Sequence, residues 1–225
     1  MGKLRRQMSD ASVQIVREFF ELNGFNVLTY WQHDTVRSRG AEHGLQLFVE
    51  NTATPIDRPL DLVLRVGDIA AVPRALVEVR PWHADRFYAS VIEANPILLE
   101  VAGEESRARA RQVFGVPEVK SILVISELPA SPEPRQRAVD LLKEGGLDHV
   151  IEFPTILHDV IGKLNAHVSY APSHTLQTLR LLKRYDFIRY QQLEFPFSAE
   201  GSGTAPAQID IAEDPGTDTR SGDED

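Results

Sequence analysis

Two carboxylates stand inside strongly apolar segments of this sequence, where an unpaired charge is expensive. Asp61 opens the run DLVLRV, and Glu78 lies in the run ALVEVR, two residues before Arg80. Burying a carboxylate is costly unless it is paired, hydrogen-bonded or bound to a metal. Side chains alternate between the faces of a strand, so Glu78 and Arg80 point the same way. If the two runs are neighbouring strands, all three groups converge at one sheet edge and could hold Mg²⁺ or stabilise charge on a phosphate.

A simpler interpretation of these charged groups involves no chemistry. Glu78 could form a salt bridge with Arg80, Arg65 or Arg74, and Asp61 could cap a turn. Ion pairs of this kind are common in proteins and contribute little more than local structure. Both interpretations stay open at the level of the residues alone.

The arrangement around the two acids carries a resemblance to a known family. A helix ends in Asn23-Gly24-Phe25-Asn26-Val27, then Pro59-Leu60-Asp61 leads into one apolar run, and the next run contains Glu78 and Arg80. A strand-helix-strand segment follows over residues 121–153. This order resembles the PD-(D/E)xK nuclease superfamily, which includes restriction endonucleases, archaeal Holliday-junction resolvases and Mrr-like enzymes. The resemblance covers roughly residues 9–155.

The resemblance implies a metal-dependent DNA endonuclease that hydrolyses phosphodiester bonds. Asp61 and Glu78 would bind Mg²⁺ or Mn²⁺, and Arg80 would stand where the family has a lysine and stabilise charge on the attacked phosphate. Arginine stays protonated and is a poor acid or base. Many resolvase-like members carry a third acid on the first helix, and Glu18 is the candidate for it here. The fold also occurs in catalytically inactive, purely binding versions, so a silent protein that binds DNA or a protein partner is the alternative.

Several basic or polar residues are candidates for contacts with nucleic acid. They are Arg37 and Arg39 in a polar loop, His83 just after Arg80, and Arg107 and Arg111 on one face of a helix. Each also has a plain interpretation. The helix arginines could pair with Glu104 and Glu105 on a solvated face, and His83 could be an ordinary loop histidine.

Two further partners come into consideration besides DNA. Residues 192–197, QLEFPF, resemble a loose version of the sliding-clamp-binding peptide, although their apolar side chains could instead fold back onto the domain. The nuclease resemblance also makes a homodimer an option, since many such enzymes dimerise to cut both strands.

Hydrophobic periodicity supplies the elements that must position these residues. The pattern predicts an α/β fold, a three-layer sandwich with a central mixed β-sheet. The nuclease resemblance implies that this sandwich is restriction-endonuclease-like. No Gly-rich nucleotide loop or GxSxG motif is present. An unrelated α/β domain that binds a small ligand is a third alternative, and the absence of a Gly-rich loop counts against a nucleotide as that ligand. The predicted helices are 9–23, 85–114 (interrupted at Pro96), 134–144, 155–164 and 173–184, and the predicted strands are 25–31, 45–50, 60–66, 75–79, 121–126 and 149–153.

Composition bounds the class of protein. The chain has 225 residues, 42% of them hydrophobic, no cysteine, and a formal net charge of −9. Residues 198–225 hold eight acids and one base, so the folded part is close to neutral and the tail is predicted to be disordered. Zero cysteine excludes disulfides, thiol nucleophiles and thiolate zinc sites.

The sequence also sets expectations for location and domain boundaries. No apolar run reaches the length of a membrane span, and MGKLRRQMSD lacks the apolar stretch of a signal peptide, so a cytoplasmic protein without a membrane partner is expected. We expect a restriction-endonuclease-like domain over 1–170, a C-terminal helical extension packed on it over 171–197, and the acidic tail over 198–225.

Overall fold

A five-stranded mixed β-sheet lies at the centre of the structure, a computed structural model in which residues 10–29 and 45–188 are described. The strands follow one another across the sheet in sequence order. The first three form an antiparallel meander, and the last two join in parallel, so that the third strand has a neighbour on each side. The strands are β1 (Phe25–Thr29), β2 (Leu45–Asn51), β3 (Arg74–Arg80), β4 (Lys120–Ile125) and β5 (His149–Glu152).

Helices cover both faces of this sheet and give three layers. On the first face, α1 (Asp10–Leu22), α5 (Phe153–Lys163) and α6 (His174–Arg184) share one apolar core. On the second face, α2 (Ala89–Glu93), α3 (Glu104–Phe114), α4 (Pro132–Glu144) and the 3₁₀ helix Pro96–Ala102 share another. Strand β4 and most of β3 are continuous apolar runs because both of their faces are covered.

Local sequence explains where the best-defined elements begin and end. The apolar residues of α1 recur at helical spacing, and Val16, Phe19 and Phe20 are fully buried. Gly24 ends this helix with a φ of +81°, a left-handed conformation that glycine adopts without strain. Helix α4 begins with a proline, which lacks the N–H that would have no intrahelical partner at that position.

The prediction of a strand over residues 60–66, paired in a hairpin with 75–79, is wrong. Only an isolated parallel bridge forms here, between Val63 and Val150 of β5, and a 3₁₀ helix follows at Val66–Ala71. Both edges of β3 are already taken by β2 and β4. The apolar run therefore lies beyond β5, at the far side of the sheet.

The remaining elements agree with the predicted α/β class, with boundaries that shift by a few residues. The predicted helical region 85–114 resolves into a loop, α2, a 3₁₀ helix and α3. All described residues belong to one unit, Met1–Tyr190. The predicted tail over 198–225 lies outside the described residues. Within the described part of the chain, every helix is too short or too polar to cross a membrane.

Candidate functional site

Strand β3 carries Glu78 and Arg80 in the middle of the sheet. Ala75, Val77 and Val79 on this strand belong to the core beneath α1 and α5, whereas Leu76 belongs to the core beneath α2, α3 and α4. Because side chains alternate along a strand, Glu78 and Arg80 both point to the second face. Their shared direction was predicted from the sequence, and the ion pair described next confirms it.

Glu78 and Arg80 form a buried ion pair. Arg80 Nε donates to the Glu78 carboxylate oxygen Oε1 at 2.8 Å, and Arg80 Nη2 lies 2.8 Å from the same oxygen. The side chains are only 2% and 6% exposed for Glu78 and Arg80, respectively. Charge-assisted hydrogen bonds in such a place are strong, and a permanently charged guanidinium beside one carboxylate oxygen of Glu78 repels a second cation.

Gln46 stands directly opposite Glu78, because β2 and β3 pair these two residues in register. The amide of Gln46 hydrogen-bonds the Glu78 carboxylate, while the amide oxygen, Oε1, is buried without a partner among the described residues. Burial raises the pKa of Glu78, and the charge of Arg80 and the hydrogen bonds from Gln46 and Arg80 offset that rise only in part. Gln46 was not among the residues predicted from the sequence, although a polar residue alternating with apolar ones in LQLFVE was a usable signal.

Glu100 is an exposed acid on the 3₁₀ helix that covers the same face of the sheet as Glu78. Glu100 contributes a further increase in the pKa of Glu78 through like-charge repulsion. Its neighbours in that helix, Leu98 and Val101, are buried in the second core. Glu100 is a polar position in an otherwise apolar segment, PILLEVA, which the sequence analysis did not single out.

Asp61 does not join this cluster, which corrects the expected Asp61–Glu78 pair. The bridge at Val63 puts this segment beyond β5, and β4 lies between β5 and β3. Three strand spacings of about 4.8 Å separate the two segments, roughly 14 Å in all. Asp61 is exposed, and its main-chain carbonyl accepts a hydrogen bond from His149 Nδ1 at 3.0 Å. The converging metal-binding carboxylates expected from the sequence are therefore not formed by these two residues.

Glu18, the expected third acid, lies on the opposite side of the sheet. It belongs to α1 on the first face, whereas Glu78 points to the second. Glu18 is buried and accepts a hydrogen bond from Gln14 Nε2 at 2.6 Å. Glu18 is buried on the side of α1 that also carries Gln14, one turn earlier in the helix. It therefore does not supply a ligand next to Glu78.

The arginines expected to contact DNA are engaged within the protein wherever they are described. Arg107 donates to the main-chain carbonyls of Ala102 and Gly146 at 2.9 and 2.8 Å and pairs with Asp148 at 3.3 Å. Arg111 pairs with Glu104. Arg37 and Arg39 lie outside the described residues, and so does the predicted clamp-binding segment 192–197.

His83 lies at the carboxyl ends of the parallel strands, beside an open cavity of about 390 Å³. Its Nε2 is 3.0 Å from Ser12 Oγ, and its ring meets Phe153 edge-on at a centroid distance of 4.7 Å. Phe153 and Leu157 give the cavity an apolar lining, and we call it the edge cleft. Ligands of open α/β sheets bind outside the carboxyl ends of the strands. The loop position of His83 follows from the sequence, but the cleft beside it does not.

A second cavity of about 390 Å³ lies nearby, between α2 and α4. We call it the α2–α4 cleft. Tyr88, Glu93, Glu133, Pro134 and Arg137 are among its lining residues. Tyr88 is 45% exposed, so its ring is available to a ligand.

The residues around Glu78 do not fit Mg²⁺ or Mn²⁺. Hard cations take several oxygen ligands at once, and here two guanidinium nitrogens of Arg80 lie 2.8 Å from one carboxylate oxygen of Glu78. Across residues 10–29 and 45–188, no group of three or more acidic or histidine side chains is placed to hold a metal ion. The arrangement is that of a satisfied structural ion pair rather than a metal centre.

Comparison with known proteins finds no relative. No protein-family model, no curated protein and no solved structure matches this chain. The function must therefore be argued from the geometry.

Proposed function

We propose that this chain is a catalytically silent protein with a restriction-endonuclease-like fold, and that it binds a protein partner. The order of its elements supports the fold. A helix is followed by an antiparallel meander, the strand with the Glu-x-basic sequence is the third of the meander, and a helical crossover leads to a parallel strand. The nuclease resemblance implies this order, except that the strand expected to open at Asp61 does not form and β2 precedes β3 instead.

The observation that carries the silent assignment is the buried pair of Glu78 and Arg80 opposite Gln46. A nuclease of this type needs two carboxylates to hold a metal beside the scissile phosphate. Here the residue facing Glu78 across the strand pair is an amide, and Asp61 lies beyond β5. The carboxylate that remains is neutralised by a fixed cation.

A protein partner agrees better with the described charges than DNA does. DNA binding draws on exposed Lys and Arg groups that replace counterions along the phosphates. Arg107 and Arg111 already bind carbonyl or carboxylate oxygens of this chain. The residues that line the edge cleft and the α2–α4 cleft include more acidic than basic groups.

Calorimetric titration with Mg²⁺ and Mn²⁺, together with cleavage of supercoiled plasmid, tests this proposal. We expect neither heat of binding nor cleavage for the wild type. The double variant Gln46→Asp/Arg80→Lys places a second carboxylate opposite Glu78 and frees its oxygen, so we expect measurable metal binding in that variant. Asp61→Asn in the same background is the matched control and should leave the new binding unchanged, because Asp61 lies beyond β5.

Metal-dependent hydrolysis is the second candidate, and Glu100 is the observation in its favour. Glu100 is exposed on this face, and its charge is among the influences that raise the pKa of Glu78, so a second acid lies within electrostatic reach. Plasmid cleavage by the wild type that disappears in both Glu78→Gln and Glu100→Gln would establish this function and refute the silent assignment.

A further inference from the structure

The edge cleft and the α2–α4 cleft lie side by side along one loop. Arg86 lines the first cleft and Tyr88 the second. Between them, Phe87 is fully buried and its main-chain N–H donates to the carbonyl of Glu127 at 2.8 Å. The divider between the clefts is therefore anchored to the segment that follows β4, and the clefts keep a fixed relation to each other.

Acidic groups outnumber basic groups in the lining of the two clefts. Four carboxylates, Asp85, Glu93, Glu127 and Glu133, stand against two guanidinium groups, Arg86 and Arg137. Arg86 and Glu127 pair with each other at 3.4 Å. The balance that remains is negative, which repels phosphate groups and attracts cationic ones.

Each cleft also offers apolar or aromatic surface. Phe153 and Leu157 line the edge cleft, and the exposed ring of Tyr88 lies with Pro134 in the α2–α4 cleft. Cavities of about 390 Å³ have room for one or more large side chains or for a small molecule. Two such cavities next to each other suit successive side chains of one extended chain better than a single compact ligand.

We propose that the two clefts together bind an extended segment of a partner polypeptide that carries both an apolar side chain and lysine or arginine. The apolar side chain enters the edge cleft, and the cationic group lies near Glu93 and Glu133, which are both exposed. This inference rests on the proposed function, because it names the binding surface of a protein that acts by binding.

Fluorescence anisotropy with labelled synthetic peptides tests the chemistry of the ligand on the intact chain. The probes are a peptide of alternating leucine and lysine, one of leucine and glutamate, one of serine and lysine, and a single-stranded oligonucleotide. We expect the leucine–lysine peptide to bind about tenfold or more tightly than the others, because only it satisfies both the apolar surface and the charge. Its binding should weaken as salt is raised.

Matched charge reversals test the location. Glu93→Lys/Glu133→Lys alters the α2–α4 cleft, whereas Glu118→Lys/Glu144→Lys makes the same change of net charge at exposed acids outside both clefts. We expect about tenfold weaker binding for the first pair and little change for the second. Leu157→Ser in the edge cleft should also weaken binding, and circular dichroism of each variant checks that it is folded.

Three outcomes would overturn the inference. They are equal effects of the two charge-reversal pairs, tighter binding of the oligonucleotide or the leucine–glutamate peptide, and no binding of any probe. These outcomes are distinct from failure of the proposed function, which is read separately as metal-dependent plasmid cleavage by the wild type.

Discussion

Replacing Arg80 with methionine exposes the energetics of the buried pair directly. Methionine keeps much of the length and volume of the side chain but leaves the Glu78 carboxylate without its cation. At an effective dielectric of about 20, two charges 2.8 Å apart attract by about 6 kcal/mol, and desolvation offsets part of this. The unpaired carboxylate of Glu78 can avoid carrying a buried charge by taking up a proton.

Protonation of Glu78 sets an upper limit on the stability that the unpaired carboxylate can cost the Arg80→Met variant. Keeping Glu78 protonated costs about 1.36 kcal/mol for each pH unit above its ordinary pKa of 4.5, so the limit is about 3.4 kcal/mol at pH 7 and about 0.7 kcal/mol at pH 5. The wild-type pKa of Glu78 is itself raised, so part of this cost is already present in the wild type, and we expect Arg80→Met to lose at most about 3 kcal/mol of unfolding free energy at pH 7 and much less at pH 5. Stability falls with pH because the pKa of Glu78 is higher in the folded than in the unfolded chain. The loss begins as the pH rises above 4.5 and is complete once the pH has passed the pKa of the folded protein.

Urea denaturation at pH 5, 6 and 7 measures this dependence. The double variant Glu78→Gln/Arg80→Met has no carboxylate at position 78 to protonate. Its unfolding free energy should therefore not show the extra decrease between pH 5 and pH 7 that is expected for Arg80→Met. Arg17→Met removes an exposed ion pair with Glu21 and should change stability by about 0.5 kcal/mol or less. An equal loss for Arg80→Met at pH 5 and pH 7 would refute the reasoning.

Two more predictions concern other positions. Burial raises the pKa of Asp148, but hydrogen bonds from Ser121 and the charges of Lys120 and Arg107 outweigh it and the pKa is lowered. Asp148→Asn should thus lose about 1–3 kcal/mol of unfolding free energy at neutral pH. In thermal melts, its difference in stability from the wild type should shrink as the pH falls below 3.8 and passes through the lowered pKa that Asp148 has in the folded protein. Gly146 has a φ of +82°, so Gly146→Ala should lose about 1–2 kcal/mol in urea denaturation, whereas Gly67→Ala, with open space around it, serves as the unstrained control; similar losses for both would contradict the backbone argument.

Local pattern was sufficient for the fold class and for most elements. Helical spacing of apolar residues identifies α1, and continuous apolar runs identify β3 and β4, because their covered faces leave no room for polar alternation. The shared direction of Glu78 and Arg80 likewise follows from the two-residue period of a strand. These features depend only on residues close together in the chain.

Strand pairing was decided by the tertiary structure alone. The run that begins at Asp61 is apolar enough to be a neighbour of β3, but β2 and β4 occupy both edges of that strand. This competition between distant segments puts Gln46 rather than Asp61 opposite Glu78, and it puts Glu18 on the other face. The sequence by itself determined that a carboxylate and a guanidinium share one buried face, whereas only the packing of the whole sheet decided that no second acid faces Glu78 across the strand pair.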